Sequence, residues 1–161
     1  FLSLAREREL QPEHCRMDGL LGECARLRLK DAEARGVRFV TELRAGDTAL
    51  MVDPKQMTRA VLNVLINALE VCPPGGRVRL FSRLTDRNIE IEVRDDGPGM
   101  PKDVAEHAFE PYFTTKATGT GLGLSITRGI IEEHGGAISL TSTEGQGCQV
   151  LIILPLKQER S

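Results

Sequence analysis

The sequence is poor in aromatic residues, with no Trp and a single Tyr among 161 residues. Proteins that bind single strands of nucleic acid commonly stack the bases on aromatic side chains, so this class of function is disfavoured. An excess of positive charge is missing too, because 21 Lys and Arg face 23 Asp and Glu, for a formal net charge of -2. We therefore expect neither nucleic acid nor an anionic membrane as the main partner.

Long apolar runs are absent as well. No stretch approaches the roughly 18 apolar residues that a transmembrane helix needs, and no signal peptide opens the chain. We therefore expect a cytoplasmic domain without direct membrane contact. Because the chain begins with Phe1 rather than Met, we expect it to be a piece of a longer protein, whose missing part could carry a membrane anchor.

Cysteine pairs with metal-ligand spacing are also lacking. The four cysteines form no C-x-x-C motif, so we expect a reducing compartment and no metal site of that kind. They are Cys15, Cys24, Cys72 and Cys148. With 40% hydrophobic residues, the chain suffices for one compact domain with one core.

The hydrophobic pattern predicts helices and strands in alternation. Helices are predicted at 17–35, 54–72 and about 121–135, and strands at 37–43, 49–52, 77–85, 88–94, 137–142 and 147–154. We expect Asp18 and Asp53 to cap the first two helices and Gly36 to end the first. This order favours an α+β two-layer sandwich, with a mixed, mostly antiparallel sheet of about five strands covered on one face by about three helices.

Two asparagines stand out in the helix at 54–72. Asn63 and Asn67 lie one turn apart in the apolar run VLNVLINAL and point in nearly the same direction. Buried without a partner, each would cost about 1–3 kcal/mol. Something polar should therefore meet this face of the helix, unless both side chains bond the neighbouring backbone.

A second candidate is the segment DDGPG at 95–99, which follows a predicted strand. It could serve as an ordinary Pro-Gly turn. Alternatively, the Asp95 carboxylate would suit the amino group of adenine and reject the carbonyl oxygen of guanine, because an ionised carboxylate accepts hydrogen bonds and cannot donate them. Gly97 and Gly99 would let a flat ligand approach closely.

The glycine-rich run GTGLGLS at 119–125 leads into the last predicted helix. Backbone N–H groups at a helix start form an anion site, and Lys116 could supply a mobile positive charge. The run matches neither a P-loop nor the dinucleotide-binding fingerprint. Combined with Asp95 and the two asparagines, it completes a nucleotide site in which an Asn carbonyl oxygen suits Mg²⁺. The long loop at 95–120 is then a binding loop or lid.

Together these motifs resemble the catalytic, ATP-binding domain of sensor histidine kinases, in the group that includes gyrase B, mismatch-repair ATPases and heat-shock chaperone ATPases. NVLINA at 63–68 looks like the N box, DDGPG at 95–99 like the first glycine box, FEPYFTTK at 109–116 like the F box, and GTGLGL at 119–124 like the second glycine box. The similarity covers about residues 37–155 and implies a Bergerat-type ATP-binding fold. LNVLINALE and FEPYFTTK further resemble the nitrogen-regulator subgroup.

The resemblance implies roles for individual residues. Asn67 would bind Mg²⁺, Asn63 would lie beside the phosphates, and Asp95 would hold adenine. The implied ATP-binding set is Asn63, Asn67, Asp95, Gly97, Gly99, Lys116, Gly119, Thr120, Gly121, Leu122, Gly123 and Leu124. Residues 100–118 would form the ATP lid, in which Phe109 and Phe113 would mainly pack.

Asn63 separates the kinases from the ATPases of the group. The ATPases carry Glu at this position as general base for an attacking water, and Asn cannot take up a proton. The resemblance therefore implies a protein-histidine kinase domain that donates the γ-phosphoryl of Mg-ATP to a protein nucleophile. A hydrolysing ATPase and a non-catalytic nucleotide-binding scaffold are the alternatives.

The histidine that such kinases phosphorylate has no counterpart in the chain. His14, His107 and His134 all lack the His-Glu-(apolar)-(Lys/Arg)-x-Pro context, and we expect a plain surface role for His14. The resemblance implies that residues 1–16 are the tail of a dimerisation helix and a linker, and that 17–161 form the ATP-binding domain. The acceptor histidine and its acid/base neighbour would lie upstream, so no catalytic residue is assigned. The implied partners are that dimerisation domain and, through the parent protein, a response regulator.

Overall fold

The computed structural model describes residues 9–111 and 123–156. Its helices are α1 (Met17–Ala34), α2 (Pro54–Val71), α3 (Lys102–Glu106) and α4 (Gly123–Glu133), and its strands are β1 (Glu13–Arg16), β2 (Arg38–Arg44), β3 (Ala49–Val52), β4 (Arg77–Leu84), β5 (Asn88–Asp95), β6 (Ala137–Ser142) and β7 (Cys148–Pro155). Every predicted helix and strand is present, and their ends differ by at most two residues. Gly36 follows α1 in the left-handed conformation, at φ 69°, as predicted. The short strand β1 and helix α3 were not predicted.

Five strands form the main sheet in the order β2-β4-β5-β7-β6. β2 runs parallel to β4, and all other neighbours in this sheet are antiparallel. β1 and β3 pair separately as a two-stranded antiparallel ribbon. The mixed, mostly antiparallel sheet of five strands confirms the predicted fold class.

One face of the main sheet is covered by helices and the other is open. In β5 the buried residues Ile89, Ile91 and Val93 alternate with more exposed polar ones, because successive side chains of a strand point to opposite faces. α1, α2 and α4 pack on the apolar face and share one hydrophobic core with it. On the open face, charged residues form cross-strand ion pairs such as Arg83 with Glu90.

The sequence explains where α2 begins and ends. Asp53 accepts a hydrogen bond from the Gln56 amide, and Pro54 occupies a first-turn position where its missing N–H is no loss. Cys72 is extended, as the residue before a proline prefers, and the helix therefore stops at Val71. The cap predicted for this helix is confirmed.

The cap predicted for α1 is wrong. The helix begins at Met17 with Arg16 as N-cap, and the Arg16 side chain accepts no capping hydrogen bond from the first turn. The buried carboxylate of Asp18 instead accepts hydrogen bonds from Ser82 Oγ at 2.7 Å and from the Ala45 amide at 2.8 Å. Local pattern could not reveal these partners, because they lie 64 and 27 residues away in the chain.

β1 lies inside the segment 1–16, for which a helix tail and linker were predicted. Its four residues pair with β3, so that Glu13 faces Val52 and Arg16 faces Ala49. His14 is exposed on this ribbon, in keeping with its expected surface role. The division of the chain at residue 16 stays a prediction. Within the described residues, no helix combines the length and apolarity that crossing a bilayer requires.

Candidate functional site

The two asparagines lie on α2, one turn apart, and both are half-buried. Their neighbours Val64 and Leu65 are fully buried in the core. The helix therefore holds Asn63 and Asn67 at the margin of its packed surface, where a polar group can reach them. Because both positions are in the second half of α2, the site forms around that end of the helix.

The start of α4 meets Asn67. A Cβ atom on Gly123 would lie 3.6 Å from the side-chain nitrogen of Asn67. Further along α4, Thr127 Oγ1 donates to the Gly123 carbonyl at 2.9 Å and lies 3.4 Å from the Ala60 carbonyl oxygen. The described start of α4 is thereby held against the asparagine face of α2.

Asp95 ends β5 and is buried, with 6% of its surface exposed. Its Oδ1 accepts a hydrogen bond from the Gly97 amide at 2.8 Å. Burial raises the pKa of the Asp95 carboxyl above its ordinary value, even though backbone hydrogen bonds from Gly97 and Cys148 act in the opposite direction. A buried carboxylate whose charge is disfavoured can be stabilised by a further hydrogen bond from a ligand.

Gly97 brings the Asp95 loop against the end of α2. A Cβ atom here would lie 3.0 Å from the Val71 carbonyl oxygen and 2.8 Å from Asp95 Oδ1. A larger residue would therefore push the loop away from the helix. Because Val71 is one turn beyond Asn67, this contact brings the carboxylate and the asparagine face to the same end of α2.

The β6–β7 hairpin supports the other side of the Asp95 loop. Met100 donates its amide to Ser142 Oγ at 2.8 Å, and Gly145 donates its amide to the Pro98 carbonyl at 2.6 Å. Gly147 has φ 79°, and a Cβ atom on it would overlap the Asp95 carbonyl oxygen. The hairpin was predicted, but its contact with the loop was not; the glycine spacing in EGQG was the available signal.

Two cysteines lie close enough to Asp95 for its charge to raise their pKa values. Burial, followed by the Asp95 charge, raises the pKa of Cys148 to about 11. Burial also raises the pKa of Cys72, and the charges of Asp95 and Asp96 add to it. Both thiols are therefore protonated and weakly nucleophilic at neutral pH, and both are free.

Part of the implied nucleotide site lies outside the described residues. These positions are Lys116, Gly119, Thr120, Gly121 and Leu122, together with Phe113 of the F box.

Near the described start of the lid, the Arg128 guanidinium lies 5.9 Å from the centroid of the Phe109 ring. Leu124 is half-buried and packs against the hydrophobic core. Gly99 has φ 69° and lies against the Thr143 backbone. These contacts are packing interactions that join the described residues beside the loop to the rest of the fold.

The described residues fit a magnesium ion that is bound mainly by other groups. No cluster of three or more His, Cys, Asp or Glu among them could hold a metal ion. Mg²⁺ keeps several waters and takes phosphate oxygens when they are present, so one protein oxygen is enough. The side-chain carbonyl of Asn67 is an oxygen of that kind, and the nitrogen of the same amide is the atom that faces Gly123.

Comparison with known proteins gives one family. Residues 52–158 match the model described as "Histidine kinase-, DNA gyrase B-, and HSP90-like ATPase". The chain is 33% identical to the sensor histidine kinase ZraS of Escherichia coli O157:H7, over 99% of this chain and 35% of ZraS. The chain thus spans about a third of the length of this curated relative.

Solved structures share the fold. The nucleotide-free catalytic domain of the histidine kinase ThkA superposes with a TM-score of 0.82 at 29% identity, over 90% of this chain and 95% of that one. ThkA in complex with the response regulator TrrA gives a TM-score of 0.83 at 27% identity, over 97% of this chain and 45% of that chain.

Proposed function

The chain belongs to the family of histidine kinase-, DNA gyrase B- and HSP90-like ATPases, and from that premise we propose that it binds Mg-ATP and donates the γ-phosphoryl group to a histidine on a dimerisation domain outside this chain. The named relative ZraS is a sensor histidine kinase, which supports the kinase branch of the family. The acceptor histidine is placed outside this chain because none of its own histidines lies in the sequence context of a phosphorylated histidine.

One observation carries the proposal: three distant segments meet at the end of α2. Gly97 ties the Asp95 loop to Val71, and Gly123 ties the start of α4 to Asn67. A carboxylate acceptor, an amide oxygen and an anion-binding helix start therefore lie around one helix end. This is the set of groups that an adenine base, a magnesium ion and a triphosphate require.

Each described group has a defined task. The Asp95 carboxylate accepts a hydrogen bond from the adenine amino group, and the Asn67 carbonyl oxygen is a ligand for the ion. Asn63, one turn earlier on the same face, lies beside the phosphates. When bound, magnesium supplies positive charge to the phosphate oxygens. The chain itself contributes positioning and electrostatic stabilisation, on which phosphoryl transfer mainly depends.

Asn63 favours a kinase over a hydrolysing ATPase. A general base must be able to take a proton from the attacking water, and an amide cannot do so. ATP in this site would therefore persist until a protein nucleophile arrives. Steady release of phosphate by the isolated chain would favour the ATPase instead.

The finer assignments rest on resemblance. The sequences of the N and F boxes support a nitrogen-regulator-like subgroup. The complex of ThkA with the response regulator TrrA supports a response regulator as partner of the parent kinase. We propose a cytoplasmic position for this domain, in a parent protein that could be membrane-anchored. No contact with nucleic acid or membrane is part of the proposal.

The deciding experiment mixes this chain with a purified dimerisation domain from its parent protein and γ-labelled ATP. We expect acid-labile phosphohistidine on the dimerisation domain and its loss with Asn67→Ala. Ser82→Ala, a buried change in β4, is the control that should retain transfer. ATP binding without phosphohistidine would favour the non-catalytic scaffold and overturn the kinase proposal.

A further inference from the structure

A buried histidine links the two helices of the site at the end opposite to Asn67. His134 follows α4 and is 3% exposed. Its Nε2 lies 3.0 Å from the backbone nitrogen of Asp53, and its Nδ1 lies 2.8 Å from the Ile130 carbonyl oxygen. The Asp53 amide is a donor, so Nε2 accepts its hydrogen bond and Nδ1 carries the proton that is donated to Ile130.

This contact sets the register of α2 against α4. The helices touch at three levels, which pair Asp53 with His134, Ala60 with Thr127, and Asn67 with Gly123. Residue numbers rise along α2 while those of its partners in and after α4 fall, so the two helices are antiparallel. A rigid helix transmits a shift along its axis from one end to the other. The position of Gly123 against Asn67 therefore depends on the contact between Asp53 and His134.

The same aspartate also binds the chain upstream of the domain. Asp53 Oδ2 accepts a hydrogen bond from the Gln11 amide at 3.0 Å, while Oδ1 accepts one from Gln56 at 3.1 Å. The Gln11 bond is the largest cause of the lowered pKa of Asp53. β1 begins two residues after Gln11 and pairs with β3, which ends immediately before Asp53.

We propose that Asp53 and His134 are positioning residues that couple the upstream segment at Gln11 to the nucleotide site. The inference rests on the proposed nucleotide binding by Asn67 and the start of α4. A displacement of the upstream segment changes the bond to Asp53, and through His134 it changes where α4 begins relative to Asn67. Since coupling is reciprocal, bound nucleotide also strengthens the Gln11 bond.

Two variants test the coupling without touching the nucleotide. Gln11→Pro removes the amide donor to Asp53, fixes φ at that position and changes the side chain. Gln11→Ala changes the side chain but keeps the donor. His134→Leu removes the acceptor for the Asp53 amide. Ser82→Ala serves as a stability control, because it breaks the buried bond to Asp18 away from the helix pair.

Affinity for Mg-AMPPNP is measured by calorimetry at a temperature where circular dichroism shows every variant to be folded. We expect His134→Leu to weaken binding about tenfold and Gln11→Pro about threefold. Gln11→Ala and Ser82→Ala should remain within about twofold of the wild type, although Ser82→Ala lowers the melting temperature. A purely structural role of His134 would lower the melting temperature and leave the affinity of the folded protein unchanged.

The outcomes separate this inference from the proposed function. Wild-type affinity in both His134→Leu and Gln11→Pro overturns the coupling, and so does an unchanged exchange rate of the Gln11 amide when nucleotide is added. Should His134→Leu fail to fold, Gln11→Pro and the amide exchange decide. A wild-type chain that binds no nucleotide overturns the proposed function itself.

Discussion

Asp53 and Asp95 lie beside opposite ends of α2, and both are buried, with 8% and 6% of their surfaces exposed. Asp53 accepts hydrogen bonds from the backbone amides of Gln11 and Gln56, and these bonds lower its pKa. Asp95 accepts from Gly97, but burial has the larger effect and raises its pKa. The fold thus stabilises the charge of the first carboxylate and destabilises the charge of the second.

The difference distinguishes a carboxylate that stabilises the fold from one that we propose binds a ligand. Asp53 gains its donors from the chain itself, because it caps a helix and ties down an upstream segment. Asp95 sits at a strand end between Gly97 and Gly147, where burial outweighs its hydrogen bonds from the Gly97 and Cys148 backbone. A further hydrogen bond, donated by a ligand N–H group, would offset part of the cost of burying this charge.

Gly147→Ala is expected to give the largest effect on stability, because it strains the backbone beside Asp95. A Cβ atom would overlap the Asp95 carbonyl oxygen at a residue with φ 79°, and we expect the free energy of unfolding to fall by about 3 kcal/mol. Gly145→Ala is the matched control: its φ is 82°, but nothing lies within 4 Å of the added atom. Urea unfolding should show a loss of about 1 kcal/mol there. Equal losses in the two variants would contradict the close contact.

Asp95→Asn tests the ligand role directly. The amide would present a donor to the amino group of adenine, so we expect ATP affinity to fall about 100-fold, as for loss of a charged hydrogen bond. Isothermal titration calorimetry measures this change. The control is Asp96→Asn, since the Asp96 side chain is 48% exposed and accepts from the Arg77 amide instead. Wild-type affinity in Asp95→Asn would refute the adenine assignment.

Asp53→Ala tests the structural role. Losing the helix cap and the Gln11 bond should lower the free energy of unfolding by about 2 kcal/mol. Asp95→Asn should leave this free energy unchanged or raise it, because it removes a charge that burial disfavours. Urea unfolding of the nucleotide-free chain compares the two. An equal loss of unfolding free energy in Asp95→Asn and Asp53→Ala would contradict the claim that only Asp53 stabilises the fold.

The smallest expected effect is in the pH dependence, where the two aspartates have opposite signs. Asp53 has a lowered pKa, so its stabilisation is full above the pKa of the unfolded chain and is lost as pH falls through the folded pKa. Asp95 has a raised pKa, so its ionisation costs stability at neutral pH. This cost begins to fall as pH drops through the raised pKa and is gone below the pKa of the unfolded chain. On acidification, wild type and Asp95→Asn should therefore converge in unfolding free energy first. The unfolding free energies of wild type and Asp53→Ala should converge only at a lower pH. The reverse order would contradict the directions assigned to both pKa values.

Much of the fold could be predicted because its boundaries carry local signals. Asp53 and Pro54 begin α2 by capping and by a fixed φ, and Gly36 follows α1 at positive φ. Such signals act over a few residues and are present in the sequence itself. Asp18 shows where they fail: the same residue type before an apolar run serves as a buried acceptor for Ser82 instead of a cap.

The candidate site divides in the same way. The residue types of Asn63, Asn67 and Asp95 indicate their chemistry without coordinates, and their convergence on one helix end is a packing result. The support from the β6–β7 hairpin and the contact between Asp53 and His134 had no local signal strong enough to predict them. Both join residues far apart in the chain, where only the packed backbone defines the distance.

The sequence by itself determined the order of helices and strands, the placement of the glycines and the polar groups available to a nucleotide, because these follow from local propensity and side-chain chemistry. The tertiary structure alone decided that hydrogen bonds lower the pKa of Asp53 while burial raises the pKa of Asp95. The reason is that burial and long-range hydrogen bonds exist only after α2, α4 and the sheet have packed together.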